Sequence, residues 1–188
     1  MKRLYDYIQR FAVISEAEFE QLAGLLELRH YDKKQILVNF GEIENFLFFV
    51  DQGLIRKYFM RDKEEINTQL AREGDIICSS VSFLSQAPSE YAVEALEPCR
   101  LFALSFENLQ KVYSMGYNMD KLGRLIVLDW LLQKEIWEHN RIKNPPRERF
   151  VQFIRENSDL VQRVPQKYLA SYLNMKPETF SRYKHLLK

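Results

Sequence analysis

The sequence predicts an α+β fold in which an antiparallel barrel or sandwich of short strands is followed by a long helix and several short helices. Between residues 36 and 104, short apolar segments are separated by turn signals about every 8–12 residues, as in such all-β units. From residue 105 onward the apolar spacing becomes that of helices. Thirteen Phe and ten Tyr among 188 residues supply enough apolar surface for a real core.

Residues 2–29 are predicted to be helical. Apolar residues recur there at helical spacing, in two groups: Leu4, Tyr7, Ile8 and Phe11, then Phe19, Leu22, Leu25 and Leu26. Ser15 with Glu18 three residues later forms the pattern of a capping box, which predicts the start of the second helix.

The strands follow from about residue 29, where apolar and polar positions begin to alternate. They are predicted at 36–40, 46–50, 54–60, 66–70, 92–95 and 100–104. Turns are predicted at Gly41-Glu42, Gly53 and Gly74-Asp75, and the charged segment 61–65 is predicted to be a hairpin tip.

A single long helix is predicted over residues 118–142, where apolar residues occupy two stripes. A helix that is apolar on two sides must be covered on two sides. We expect one side to pack on the barrel and the other to meet a second copy of the chain, although a central helix buried in a monomer would satisfy the same pattern. The predicted dimer interface comprises Leu122, Leu125, Ile126, Leu128, Leu132 and Ile136.

The residues Asn144-Pro145-Pro146 end the long helix and mark a domain boundary. We therefore predict three parts: a β domain at 1–117, the long helix at 118–143 and a C-terminal domain at 144–188. The last part is basic, with 11 Lys and Arg against 4 Asp and Glu from residue 141 onward, whereas residues 1–140 carry a net negative charge. A basic end on an acidic body is typical of nucleic-acid-binding proteins, but a solvated basic face is the alternative.

Several classes of protein are not indicated by the sequence. No run of about 18 apolar residues predicts a membrane span, and no signal peptide is recognised at the N-terminus, so we expect a cytoplasmic protein. His30, His139 and His185 are scattered, so no metal site and no enzyme of the metal-dependent jelly-roll kind are predicted. No catalytic motif and no catalytic residue is identified.

Residues 166–184 have the pattern of a helix-turn-helix. Ala170 is the small residue needed where the helices cross, and Asn174 tolerates a positive φ at the turn. Pro177 suits the first turn of the second helix. Apolar residues are available to seal the angle between the helices: Leu169, Leu173, Met175, Phe180 and Tyr183.

The second of these helices would expose side chains that suit DNA. Arg182 can donate two hydrogen bonds to guanine, Glu178 can accept one from cytosine, and Thr179 or Lys184 can contact phosphate. An ordinary helical hairpin with a basic face remains the alternative to a DNA-binding unit.

The order of these parts resembles the Crp/Fnr (catabolite activator/fumarate-nitrate regulator) family of bacterial transcription factors. The most specific match is residues 163–182, and the predicted glycine turns match those of the family's β-roll. The resemblance implies a jelly-roll-like β-roll sensor domain similar to cyclic-nucleotide-binding domains, a long dimerisation helix and a C-terminal helix-turn-helix. Lys188 leaves no residues for a full wing, so either the native protein lacks one or the sequence is a piece of a longer chain.

By this resemblance, the DNA-binding residues are those on and near the second helix. Glu178 and Arg182 are implied as the base-contacting pair and Thr179 as a phosphate contact, while Pro177 occupies a contact position without a donor. Lys167, Lys176 and Lys184 would then add phosphate contacts.

The resemblance also identifies a ligand segment, residues 78–90, that departs from the cyclic-AMP-binding pattern. Ser79 replaces the Glu that holds the ribose, and Ser89 replaces the Arg that pairs with the cyclic phosphate; Glu90 adds a negative charge. We therefore expect no cyclic-AMP binding. The candidate effector pocket is Cys78, Ser79, Ser80, Ser89 and Glu90, with the effector unknown.

No cofactor is predicted. The family's iron–sulfur members carry an N-terminal cysteine cluster, and residues 1–30 contain no Cys. The three histidines leave haem ligation open, although solvated or structural histidines are commoner. Cys78 could be a thiol sensor, but a buried structural Cys is the commoner case.

Taken together, these features predict a dimeric, sequence-specific DNA-binding transcription regulator. Its partners would be a second copy of the chain, a pseudo-palindromic DNA duplex and RNA polymerase, with no membrane contact. The alternative is a ligand-sensing or protein-interaction module whose helical tail does not bind DNA.

Overall fold

The computed structural model describes residues 1–183. It confirms the predicted order of a strand-rich region, one long helix and short C-terminal helices. The elements are α1 (Lys2–Gln9), α2 (Glu16–Ala23), β1 (Leu26–Tyr31), β2 (Ile36–Val38), β3 (Phe46–Gln52), β4 (Ile55–Arg61), β5 (Glu64–Ala71), β6 (Ile76–Ile77), α3 (Ser80–Ser85), β7 (Ala92–Ala95), β8 (Cys99–Ser105), α4 (Phe106–Ser114), α5 (Tyr117–Lys143), α6 (Pro146–Glu156), α7 (Ser158–Arg163), α8 (Gln166–Tyr172) and α9 (Pro177–Tyr183).

Two four-stranded sheets form the β-roll. Their strand orders are β1-β8-β3-β6 and β2-β7-β4-β5, and the strand pairs with assigned registers are antiparallel. Small and branched side chains from both sheets fill one core, including Val50, Ile55 and Leu101, each fully buried. The predicted turn at Gly53 adopts a φ of +104°, and a Cβ there would lie 2.6 Å from the Cys99 Sγ. Only glycine fits that position.

The N-terminal prediction is right for the helices and wrong for the residues that follow them. The capping box forms, because the Ser15 hydroxyl accepts from the Glu18 N–H and the Glu18 carboxylate accepts from the Ser15 N–H. Residues 26–29 were predicted to be helical, yet they belong to strand β1. β1 pairs with β8 over six residues, from Leu26 opposite Leu104 to Tyr31 opposite Cys99. Sheet pairing therefore overrides a local helical pattern.

The long helix extends from Tyr117 to Lys143, one residue beyond the predicted range at each end. Two helices had no prediction, α3 and α7, and each has only six residues. Such short elements carry less than two turns of apolar periodicity, so their sequence pattern is weak.

Two compact units can be distinguished by their internal contacts. The first comprises Met1–Tyr58 and Gln69–Asp129, and holds the core of the β-roll. The second comprises Phe59–Thr68 and the chain from Trp130 onward, and holds the helices α6 to α9. The tip of the β4–β5 hairpin thus belongs to the unit that contains the C-terminal helices.

Candidate functional site

The ligand segment is closed on itself at the two positions where the resemblance places ligand contacts. Ser79 and Ser89 are 1% and 4% exposed, and their hydroxyl oxygens lie 2.7 Å apart and share a hydrogen bond. The Ser89 hydroxyl also accepts from the Tyr91 N–H at 3.1 Å. These hydroxyls therefore satisfy each other and the nearby backbone inside the roll.

A buried carboxylate lies next to this pair, and nothing in the sequence pattern pointed to it. Glu44 is 2% exposed, and its carboxylate accepts from the backbone N–H groups of Ser79 and Phe46, both at 3.2 Å. Burial raises the pKa of Glu44 to about 7, although these N–H donors and the Lys57 ammonium oppose the rise. The Ser82 hydroxyl accepts from the Glu44 N–H at 2.9 Å, which ties helix α3 to the same group.

Cys78 begins the ligand segment and is fully buried. Burial raises the pKa of its thiol to about 12 despite the nearby Lys57. The Lys57 ammonium donates to the Cys78 carbonyl at 3.2 Å. This thiol is therefore protonated and shielded in the folded protein.

The five residues predicted as an effector pocket do not share one environment. Cys78, Ser79 and Ser89 are buried, Ser80 is half-buried and Glu90 is exposed. The structure brings Ser79 and Ser89 together, and it adds Glu44 and Lys57 to their surroundings. Glu44 and Lys57 are distant in sequence from the segment, which is why motif spacing did not indicate them.

The C-terminal helices form the turn that the sequence predicts. Asn174 lies between α8 and α9 with a φ of +51°, the left-handed region that Asn tolerates. The Met175 N–H donates to the Ala170 carbonyl at 2.9 Å, which closes the end of α8. Ala170 is fully buried, as required of the small residue at the helix crossing.

A small aromatic and aliphatic core holds these helices together. Phe180 of α9 is fully buried, and its ring meets the Phe150 ring of α6 edge-on, with centroids 5.1 Å apart. On the other side of this unit, the Tyr172 ring contacts the rings of Trp137 at 5.1 Å and Phe153 at 5.8 Å. The remaining buried apolar side chains include Leu160, Val164, Leu169 and Leu173.

Helix α8 is also attached to the tip of the β4–β5 hairpin. The Ser171 hydroxyl donates to the Glu65 carbonyl at 2.8 Å and accepts from the Asn67 N–H at 2.9 Å. Both partners are backbone groups more than 100 residues away in sequence, so no local pattern could have predicted them.

The predicted DNA-binding side chains that the structure describes lie on the outer side of this unit. Glu178 and Arg182 are exposed one helical turn apart on α9, and Thr179 is half-buried. The other members of the set are exposed: Lys167, Lys176 and Pro177. Lys184 lies outside the described residues.

The side chains of the predicted dimer interface on α5 differ in how far they are buried. Leu122 is 3% exposed and so belongs to the interior of its own chain, while Leu125 and Ile126 are half-buried. An exposed apolar stripe, 46% to 59% accessible, is formed by Val127, Leu128, Leu131, Leu132 and Ile136. Val127 and Leu131 were not in the predicted set.

The described part of the chain offers few signs of metal or membrane binding. Within residues 1–183, no three His, Cys, Asp or Glu side chains are grouped so that they could hold a metal ion. His30 and His139 are exposed, and His185 lies outside the described residues. None of the described helices is both long enough and apolar enough to cross a bilayer.

Comparison with known proteins agrees with this architecture. Residues 28–115 match the cyclic nucleotide-binding domain family, whereas no curated protein matches the chain. Among solved structures, the chain is similar to the c-di-GMP responsive global regulator CLP of Xanthomonas campestris, with 17% identity, a TM-score of 0.70, and 92% of this chain and 91% of that chain covered.

Two further structures have the same arrangement. FixK2 from Bradyrhizobium japonicum is 20% identical with a TM-score of 0.71, and 86% of this chain and 84% of that chain are covered. The Thermus thermophilus catabolite activator protein is 18% identical with a TM-score of 0.53, and 94% and 85% are covered. The predicted resemblance is therefore confirmed at the level of the fold: residues 28–115 match the cyclic nucleotide-binding domain family, and the chain shares the fold of the Crp/Fnr transcription regulators.

Proposed function

We propose that this chain is a dimeric, sequence-specific DNA-binding transcription regulator that does not respond to cyclic AMP. The observation that carries the proposal is the outward placement of Glu178 and Arg182, one turn apart on a helix whose opposite side is anchored by Phe180. A guanidinium and a carboxylate at that spacing suit hydrogen bonding to base edges in the major groove. Three basic or polar neighbours, Lys167, Lys176 and Thr179, would contact phosphate.

The proposed assembly is a homodimer formed through α5. The stripe from Val127 to Ile136 exposes five large apolar side chains along one helix, which is unfavourable unless another surface covers them. A second copy of the same helix would cover the stripe by two-fold symmetry. It would also place two copies of α9, which we call the recognition helix, on one DNA face. The functional parts would then be the β domain at 1–117, the helix at 118–143 and the DNA-binding domain from 144.

DNA binding is tested by selecting duplexes from a random pool with the wild-type chain and with Arg182→Ala. With the wild-type chain we expect an inverted-repeat motif. On that motif, the DNA-binding free energy of Arg182→Ala should be weaker by about 1–3 kcal/mol, and its sequence specificity should be relaxed at one position. Arg155→Ala is the matched control, since Arg155 is an exposed arginine of α6. If no inverted repeat emerges, or if Arg182→Ala binds as wild type does, the alternative of a module without DNA binding is favoured.

Dimerisation is tested by the solution mass of Leu132→Glu and of Gln133→Glu. Leu132 belongs to the stripe, whereas Gln133 is exposed and outside it, so the two variants introduce the same charge about 100° apart around the helix. We expect a dimer for wild type and Gln133→Glu and a monomer for Leu132→Glu. A monomeric wild type at micromolar concentration would contradict the proposed assembly.

The absence of a cyclic-AMP response follows from the closed ligand segment. A cyclic phosphate at this site would have to break the Ser79–Ser89 hydrogen bond, and it would find no arginine at position 89. Titration calorimetry with micromolar cyclic AMP should give no binding heat, and the melting temperature should not change. A clear signal in either measurement would contradict this part of the proposal.

A further inference from the structure

Arg149 of α6 joins the end of the long helix to the turn between α8 and α9. Its guanidinium donates four hydrogen bonds, all to main-chain carbonyls. Two acceptors lie at the end of α5, Arg141 at 2.9 Å and Asn144 at 2.8 Å. The other two lie in the turn, Leu173 and Asn174, both at 3.1 Å.

At each end of this connection, a main-chain carbonyl has no helical N–H four residues later from which to accept. In a continuing helix, the Arg141 carbonyl would accept from the backbone N–H four residues later, but that residue is Pro145, which has none. The Leu173 carbonyl also has no helical donor, because α8 ends at Tyr172 and the chain turns at Asn174, where φ is +51°. Arg149 therefore supplies donors to carbonyls that a proline and a turn leave without a helical partner.

The geometry suits arginine and no other side chain. One edge of the guanidinium, Nε and Nη2, donates to two consecutive carbonyls of the turn, while Nη1 donates to the Arg141 carbonyl of α5 and to the Asn144 carbonyl just after it. A lysine ammonium is a compact charge that cannot span two groups of acceptors with a planar fork. The carbonyls at the ends of α5 and α8 also carry the negative ends of helix dipoles, which favours a cation between them.

We propose that Arg149 is a positioning residue that fixes the helix-turn-helix to the end of the long helix and thereby sets the spacing of half-sites that a dimer recognises. This inference rests on the proposed function. Arg149 does not need to contact DNA, because its donors are directed at the backbone of its own chain. Its contribution is to hold each recognition helix at one orientation before DNA is bound, which reduces the ordering cost of engaging both half-sites.

The first test compares binding to the selected inverted repeat and to a duplex with a single half-site. For Arg149→Gln we expect binding to the inverted repeat to weaken by about 10- to 100-fold, while single half-site binding changes by less than about threefold. A pool with varied spacers should show a broader spacing preference. Arg149→Lys should behave like Arg149→Gln, and Arg155→Gln, which removes an exposed charge from the same helix, should keep the wild-type spacing preference.

A loss on the inverted repeat no larger than the square of the loss on a single half-site would mean that Arg149 supports folding or phosphate contact alone, and would overturn the proposal. Unchanged spacing preference in Arg149→Gln, or full rescue by Arg149→Lys, would overturn it as well. These readouts separate a positioning role from a purely structural one, because partial unfolding lowers affinity for every duplex alike.

A second test needs no DNA. Spin labels at His139→Cys in α5 and Gln166→Cys in α8 occupy exposed positions, and the native Cys78 and Cys99 are buried. In labelled chains diluted with unlabelled ones, we expect a narrow distance distribution with Arg149 and a clearly broader one with Arg149→Gln. Equal widths would overturn the proposal. A wild-type chain that selects no duplex would instead contradict the proposed function, while the distance measurement would still decide the role of Arg149.

Discussion

The ligand segment and the recognition helix use polar side chains in opposite ways. In the ligand segment, Ser79 and Ser89 are buried and share a hydrogen bond, and the buried Glu44 beside them accepts from the Ser79 N–H. In the recognition helix, Glu178 and Arg182 are exposed. The first region uses its polar groups within the fold, whereas the second has them at the surface, where the proposed function requires them.

The two kinds of position in the β-roll also differ in what the backbone requires of them. Its turns at Gly53 and Gly74 have a positive φ, which glycine adopts without strain. The ligand positions carry no such backbone requirement, so serines can occupy them and pair with each other.

The largest expected effect concerns the core under the recognition helix. Phe180→Ala removes a fully buried ring that packs on Phe150, and should destabilise the second unit by about 3–5 kcal/mol. Arg182→Ala on the same helix should change the unfolding free energy by less than about 0.5 kcal/mol, because its side chain is exposed.

Urea unfolding followed by tryptophan fluorescence measures this difference. The only two tryptophans of the sequence, Trp130 and Trp137, both belong to the second unit and so report on it. Similar losses of stability for the two variants would show that Arg182 is part of the fold, and would remove the contrast between the two regions.

The next effect depends on pH and arises from Glu44. With a pKa of about 7 in the folded protein and 4.5 as the ordinary value, Glu44 keeps a proton in the folded chain over a range where the unfolded chain releases it. The unfolding free energy therefore falls as pH rises from 4.5 through 7, by up to about 3 kcal/mol. Glu44→Gln should remove this dependence, so it gains stability relative to wild type between pH 5 and pH 8.

Glu42→Gln is the matched control for that measurement, because Glu42 is exposed two residues earlier and accepts from the Asn39 N–H. Its stability profile should run parallel to that of wild type across the same range. If the stability profile of Glu44→Gln also runs parallel to that of wild type, the Glu44 carboxylate is ionised at little cost. The surroundings of the ligand segment would then be more open to water than their burial indicates.

Much of this contrast was predictable from local pattern, and the rest was not. The long helix, the helix-turn-helix and the turn at Asn174 follow from periodicity and from the few residues that tolerate a positive φ. The strand β1 was missed because its pairing with β8 is set by residues some 70 positions away. Glu44 and Arg149 were missed for the same reason, since their roles depend on distant groups that only the fold brings close.

A smaller effect is expected from the serine pair itself. Ser89→Ala and Ser79→Ala should each destabilise the first unit by about 1 kcal/mol, because each leaves a buried hydroxyl with one partner fewer. The double variant should cost less than the two single losses together, by about 0.5 kcal/mol or more, which a double-mutant cycle measures by chemical denaturation. Ser85→Ala is the control, since Ser85 is exposed and its hydroxyl bonds to nearby backbone groups, the Val81 carbonyl and the Ala87 N–H. Additive losses would show that the two hydroxyls are not coupled in solution.

The smallest expected effect is on Cys78, whose thiol should not react in the folded protein. A reagent such as dithionitrobenzoate attacks the thiolate, and burial raises the pKa of the Cys78 thiol to about 12, so very little thiolate is present at pH 8. The side chain is also fully buried, so the reagent has no access to it.

We expect no thiol to react in native buffer and both cysteines to react in denaturant, with the exposed Gln166→Cys as a positive control. A native thiol that reacts within minutes in wild type but not in Cys78→Ala would show that the ligand segment opens in solution. The ligand segment would then be exposed to solvent for part of the time, whereas the recognition helix is exposed in the folded structure. Oxidation of the Cys78 thiol would then be a way for the β-roll to detect a signal.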